Sequence, residues 1–116
     1  MWFTANLLFE GVHPGQPRSE NLWEERIVLF NAPTEDEARH QAESLGKAEE
    51  HCYVAATNEP VQWRFRQIER LTAIESDVLQ SGTELCSRFL RASEVQSLQS
   101  GIHERETASH ALTSSQ

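Results

Sequence analysis

The chain has 116 residues, of which 38% are hydrophobic and 24% charged, enough for one domain with a core of modest size. Its 18 acidic residues against 10 basic ones give a net charge of −8, which argues against binding a phosphate backbone or an anionic membrane, since both need lysine and arginine. No apolar run is long enough to span a bilayer, no basic region follows Met1, and two cysteines make no disulfide framework, so the expected setting is the cytoplasm with both thiols reduced.

Residues 2 to 10 alternate. Phe3, Ala5, Leu7 and Phe9 form an apolar face, while Trp2, Thr4, Asn6 and Glu10 lie opposite with Leu8. That pattern predicts a first strand covered on one face. Gly11, Pro14, Gly15, Pro17 and Asn21 predict a loop over 11–22, long for a hairpin connection. The stretch 23–30 alternates again, with Trp23, Glu25, Ile27 and Leu29 on one side and Glu24, Arg26, Val28 and Phe30 on the other. Charges early and apolar residues late predict a second strand buried on both faces toward Phe30. Pro33 ends the ladder because it has no N–H. Thr34 then reads as an N-cap, with Glu37 completing a capping box and Glu35, Asp36 and Glu37 suiting the positive end of the helix dipole. The helix is expected from about Glu35 to about Glu49. Ala38, Ala42 and Leu45 form a narrow apolar stripe whose alanines allow close approach to a sheet. Gly46 falls where fraying or a C-terminal cap would be natural.

Residues 51 to 56 predict a short third strand, and Thr57-Asn58-Glu59-Pro60 a turn. Val61, Trp63 and Phe65 share one face of a fourth strand, with Gln62, Arg64 and Arg66 opposite. Ile68 and Ile74 fall on the other parity, so a bulge near Arg66 to Ile68 is expected, with the strand continuing to about Ile74. A helix from Ile68 through Leu79 is the rival reading. After the Ser81-Gly82 turn, Thr83 to Leu90 predicts a fifth strand with Leu85 and Phe89 on one face and Glu84, Cys86 and Arg88 on the other. Ser93 and Gln96 suit the start of a short last helix that carries Val95 and Leu98 and ends at Gly101. The polar stretch from His103 onward predicts disorder. The expected whole is one α+β domain over 1–101 with a disordered tail over 102–116. Its order is β-β-α-β-β-β with a short C-terminal helix. A mainly antiparallel sheet of about five strands carries the main helix on one face.

The blocks Trp2-Phe3-Thr4-Ala5-Asn6-Leu7-Leu8-Phe9-Glu10, Trp23-Glu24-Glu25-Arg26-Ile27-Val28-Leu29-Phe30, Glu37-Ala38, Val61-Gln62-Trp63-Arg64-Phe65 and Gly82-Thr83-Glu84-Leu85-Cys86-Ser87-Arg88-Phe89 follow in a familiar order. In that order the chain resembles a small bacterial family, the domain of unknown function 4288 family. The resemblance covers roughly residues 2 to 91, and its more specific pieces are the Trp-Glu-Glu-Arg and Gly-Thr-Glu blocks. The loop over 11–21 and the tail after Ser100 fall outside it. The family carries no established activity, so the resemblance implies no catalytic residue, cofactor or partner.

Glu24, Glu25 and Glu84 are the candidates for a carboxylate pair, provided strands two and five are neighbours. Cross-strand pairing of these acids with Arg26, Arg64, Arg66 and Arg88 is favoured, because so many arginines on strands is a pairing pattern. His51 and Cys52 are adjacent on a strand and face opposite ways. Cys52 with Cys86 gives two ligands where structural zinc takes four, and His13 and His40 sit in unrelated contexts. Neither a metal nor a cofactor is expected, and Cys52 or Cys86 reads as a small buried hydrophobe. The sequence has no base beside an activated thiol, no phosphate-cradling glycine loop and no nucleophile elbow. Trp63 reads as core, whereas Trp2 and Trp23, near strand starts, suit core or interface about equally.

The expected function is therefore non-catalytic protein interaction, of adaptor or immunity type, through a charged sheet face. That face would present Trp23, Glu24, Arg26, Arg64, Arg66, Glu84 and Arg88 to another protein or to a second copy of the chain. The alternative is a small-ligand binder or minor enzyme with a pocket between helix and sheet or under the loop over 11–22.

Overall fold

A computed structural model describes residues 1–16, 18–76 and 78–100. The chain separates into two compact units, Met1–Cys86 and Ser87–Gln116. The first is α+β and contains β1 (Trp2–Val12), β2 (Trp23–Asn31), α1 (Glu35–Ala48), β3 (His51–Val54) and β4 (Pro60–Ala73). The strands form one antiparallel sheet in the order β2-β1-β4-β3.

β1 is central because its alternation supplies a face that α1 can cover. Phe3, Ala5, Leu7 and Phe9 are all buried on that face. Val28 and Phe30 of β2, Phe65, Ile68 and Leu71 of β4, and Ala42 and Leu45 of α1 pack around Ala5, Leu7 and Phe9. Phe3 forms a second cluster with Ala32 and Ala38. Full burial of a leucine such as Leu7 contributes on the order of 1.5–3 kcal/mol, so this single face carries most of the packing energy of a small sheet.

α1 starts as its cap dictates. Thr34 is extended (φ −139°, ψ 162°), and its Oγ1 accepts the Glu37 N–H at 3.2 Å. Thr34→Ala is expected to lower the stability of this unit by about 1 kcal/mol in urea unfolding, with no change of fold by circular dichroism. The helix does not cap at Gly46. That glycine is buried inside α1, and the helix closes later through the Glu49 N–H to the Leu45 carbonyl at 2.9 Å. A Cβ at Gly46 would stand 2.6 Å from the Phe65 ring, so the glycine serves close packing of helix on strand.

β4 keeps its apolar residues inward by slipping register. Arg70 faces Asn6 while Ile68 faces Leu7, and Gln67 faces Leu8 while Phe65 faces Phe9. Glu69 and Arg66 are thus the extra residues of two bulges. The strand reading of residues 61–74 and its expected bulge are observed, and the helical rival for 68–79 is not. β3 is shorter than expected and exposed throughout. In the turn after it, Asn58 takes φ 68°, a conformation asparagine tolerates.

Two expectations fail. Among the described residues there are four strands, not five, because residues 83–90 form no ladder. Leu85 and Phe89 are exposed, and the Leu85 carbonyl is satisfied by the Thr4 hydroxyl at 3.3 Å, not by a neighbouring strand. Two apolar residues on one parity give such a segment little to bury. The second failure is β2, which is an edge strand. Trp23, Ile27 and Leu29 stay exposed on it, so only the Val28–Phe30 parity is covered.

In the second unit, residues 92–100 form a helix. It begins two residues earlier than Ser93 as a cap would require, with the Glu94 carboxylate accepting the Arg91 N–H at 3.2 Å. Phe89, Leu90, Val95 and Leu98 are exposed. The expected end at Gly101 and the expected disorder of 102–116 lie outside the described residues.

Candidate interaction surface

The sheet face away from α1 is built around Glu10. On that face Glu10 of β1 stands opposite Trp23 of β2 and Arg64 of β4. The bulge at Arg66 brings its Nε to Glu10 Oε1 at 2.9 Å. The Asn21 amide, at the entry to β2, donates to Glu10 Oε2 at 2.9 Å. Arg64 turns to the Gln62 amide oxygen at 3.0 Å. Three of the expected residues, Trp23, Arg64 and Arg66, are therefore arranged around one carboxylate, bonded to it only through Arg66, and that carboxylate is one the sequence reading passed over. The only signal for it was parity with the polar side of β1, and that becomes informative only once the register to β4 is known.

The Asn21 hydrogen bond holds the Glu10 carboxyl below its ordinary value of 4.5, partial burial opposes this, and Arg66 adds a hydrogen bond and a charge in the same direction. A lowered folded-state pKa contributes stability above the unfolded value and loses it as pH falls through the folded one. The stability difference between wild type and Glu10→Gln is accordingly expected to shrink as pH drops below that ordinary value. Urea midpoints from neutral to acid pH check this, and a constant difference would contradict it.

The other expected residues lie elsewhere. Glu24 and Arg26 are on the helix side of the sheet. The Arg26 guanidinium lies 5.4 Å from the Phe9 ring centre, and its Nη1 is 3.5 Å from the Glu49 carboxylate at the end of α1. Glu84 is exposed in a segment without strand structure, and Arg88 belongs to the second unit. Glu24 and Glu25 face opposite sides, and β2 pairs only with β1 among the described strands, so the strand pairing needed to join them to Glu84 does not exist. The one cross-strand acid–arginine pair among the described residues is Arg66 with Glu10, while Arg26 pairs with Glu49 at the end of α1.

Next to the Glu10 cluster, β2 presents a row of apolar side chains. Trp23, Ile27 and Leu29 are 49%, 55% and 40% exposed on the face opposite α1. Between them, Glu25 accepts from the buried Asn6 amide at 3.4 Å. An edge strand with uncovered large apolar residues is a place where chains add to a sheet. Around the loop, Glu59 receives Arg18 at 3.3 Å and stands 3.6 Å from His13, which ties His13 and Arg18 to the turn before β4.

The sequence profile of the domain of unknown function DUF4288 matches residues 2–87. The chain belongs to the DUF4288 family. The match and the first compact unit agree to within a residue at each end, so the whole sheet and α1 are the DUF4288 domain, while Arg88 lies beyond it. It also runs through the loop over 11–21, which the resemblance had left out. No curated protein and no solved structure matches the chain.

The DUF4288 domain also has a cleft of about 620 Å³ between α1 and β4. Arg39, Lys47 and Arg66 edge it over a floor that includes Phe65 and Ile68. Three of its charged groups are already engaged: Arg39 with Glu35, Arg66 with Glu10, and the Glu50 carboxylate with the Phe65 N–H at 3.1 Å. Among the described residues no three of His, Cys, Asp and Glu gather as a metal site. Cys52 is exposed on β3, contrary to the buried role considered for it, and Cys86 is half-buried. No helix among the described residues is long and apolar enough to cross a membrane.

Proposed function

We propose that the DUF4288 domain is a non-catalytic protein-interaction module that receives an extended polypeptide segment along β2. The observation that carries this reading is the row Trp23, Ile27 and Leu29, left exposed on an edge strand. A strand added there gains main-chain hydrogen bonds, and the row offers alternate side chains their contacts. The Glu10–Arg66–Arg64 cluster beside it supplies a polar rim, the usual frame of an apolar contact. This moves the docking surface from the charged sheet face to its edge. Trp23, Arg64 and Arg66 stay in it, Ile27, Leu29 and Glu10 join it, and Glu24, Arg26, Glu84 and Arg88 leave it.

The test is affinity capture with the tagged chain and with an Ile27→Lys/Leu29→Lys variant of native circular dichroism. A protein held by the wild type and lost by the variant supports the reading. Trp23→Ala is expected to weaken such a complex by about 2 kcal/mol, roughly 30-fold in Kd, as for an aromatic anchor. Binding unaffected by all three substitutions would overturn it.

A further inference from the structure

The backbone of β2 fixes which groups a partner would meet. The Gly11 N–H donates to the Leu22 carbonyl at 2.8 Å, and the Ala32 N–H donates to the Met1 carbonyl at 2.9 Å. Both are even-numbered residues at the two ends of the same ladder. In an antiparallel ladder the main-chain groups of successive residues point to opposite neighbours. The even residues Glu24, Arg26, Val28 and Phe30 thus turn theirs to β1. Trp23, Glu25, Ile27, Leu29 and Asn31 turn theirs outward, and these also carry the side chains of the face away from α1. The apolar row, Trp23, Ile27 and Leu29, is thus part of the free edge, with Glu25 and Asn31 as its polar members.

We propose that the occupant of this edge is a second copy of the chain, with β2 pairing antiparallel to β2 about a two-fold axis at Ile27. The inference rests on the edge reading above and names its partner. A two-fold axis must pass through one residue pair, and charge selects which. An axis at Glu25 opposes two glutamates, and one at Arg26 opposes two arginines. An axis at Val28 leaves Trp23 and Glu24 beyond the paired stretch. The axis at Ile27 pairs all nine residues of β2 and opposes no like charges. Trp23 then faces Asn31 of the other copy, Glu25 faces Leu29, and Ile27 faces itself. Trp23 also lies diagonal to Leu29 of the other copy, within reach of a long aromatic side chain. The paired strands are about 30 Å long and join two four-stranded sheets into one. Each chain carries a net charge of −8, a repulsion that salt screens beyond about 8 Å at physiological ionic strength, so this dimer tightens as salt rises.

The test uses the full chain with Cys52→Ser and Cys86→Ser, which removes the native thiols. At a hydrogen-bonded antiparallel pair the Cα atoms are about 5.5 Å apart, within disulfide range. Ile27→Cys is expected to crosslink to a dimer on mild oxidation. Leu29→Cys is expected to remain uncrosslinked, because its counterpart is four residues, about 14 Å, along the strand. The wild-type chain is expected to dimerise with rising concentration in sedimentation, more so at high salt, and Ile27→Lys to stay monomeric. A wild-type monomer at every concentration and salt, or crosslinking at position 29 in preference to 27, overturns the proposal. If the chain is monomeric but a captured protein is lost with Ile27→Lys/Leu29→Lys, the edge reading stands and the second copy falls. If neither occurs, both fall.

Discussion

Phe9→Ala is expected to cost about 3–5 kcal/mol, which removes most of the stability of a domain of this size. Phe9 is among the largest fully buried side chains and sits on the central strand. Three elements converge on it. Ala42 approaches from α1, the Phe65 ring lies 5.6 Å away at 56°, and the Arg26 guanidinium stacks over its face from β2. Truncation would leave a cavity whose walls belong to a helix and two flanking strands, and hydrogen-bonded elements collapse poorly. The loss therefore includes the cavity term as well as the transfer term. Urea unfolding followed by circular dichroism measures it. Phe89→Ala is the matched control, since Phe89 is fully exposed and its removal should leave the midpoint unchanged. A loss below about 1 kcal/mol at Phe9 would mean that this face of β1 is not the core.

The contrast between these two phenylalanines shows where the sequence was readable. Phe9 belongs to a run in which every second residue from Phe3 is apolar, and such a run needs a cover whatever the topology. Thr34 followed by Glu37 is equally local, since cap and helix start lie within four residues. The bulge at Arg66 was legible because apolar parity breaks inside the strand itself, between Phe65 and Ile68, whereas the second, at Glu69, was not expected. Phe89 has only Leu85 for company, and alternation over two residues cannot distinguish a strand from a segment tied down by one hydroxyl, as Leu85 is by Thr4. β2 misled in the opposite direction. Ile27, Val28, Leu29 and Phe30 read as a strand buried on both faces, yet which strands end at a sheet edge depends on strand order, a long-range property. The same gap hid the surface. Glu10 and Arg66 are 56 positions apart and meet only through the β1–β4 register, whereas Arg26 and Glu24, close to Trp23 in sequence, face the other way by strand parity.

Gly46→Ala tests that packing from the helix side, and intrinsic propensity gives it the wrong sign. In an exposed helix the change gains about 0.8–1 kcal/mol. Here the new Cβ would meet Phe65 at 2.6–2.7 Å, at ring atoms that include Cγ. Turning the ring about χ2 leaves Cγ where it is, and moving it about χ1 would disturb its packing with Phe9, whose ring centre is 5.6 Å away. Either α1 lifts from the sheet or β4 shifts, at a cost of about 1–3 kcal/mol for overpacking. The net expectation is destabilisation by about 1–2 kcal/mol. In a Phe65→Ala background the obstacle is gone, and the same substitution should become stabilising by up to about 1 kcal/mol. The four proteins form a double-mutant cycle, and residues in direct contact should show a coupling within the usual range of about 0.5–3 kcal/mol. Gly46→Ala having the same sign in both backgrounds would show that the helix does not approach β4 through Phe65. A change of sign would tie the glycine inside α1 to one aromatic ring on the strand it covers, and with it the seating of the helix on the sheet.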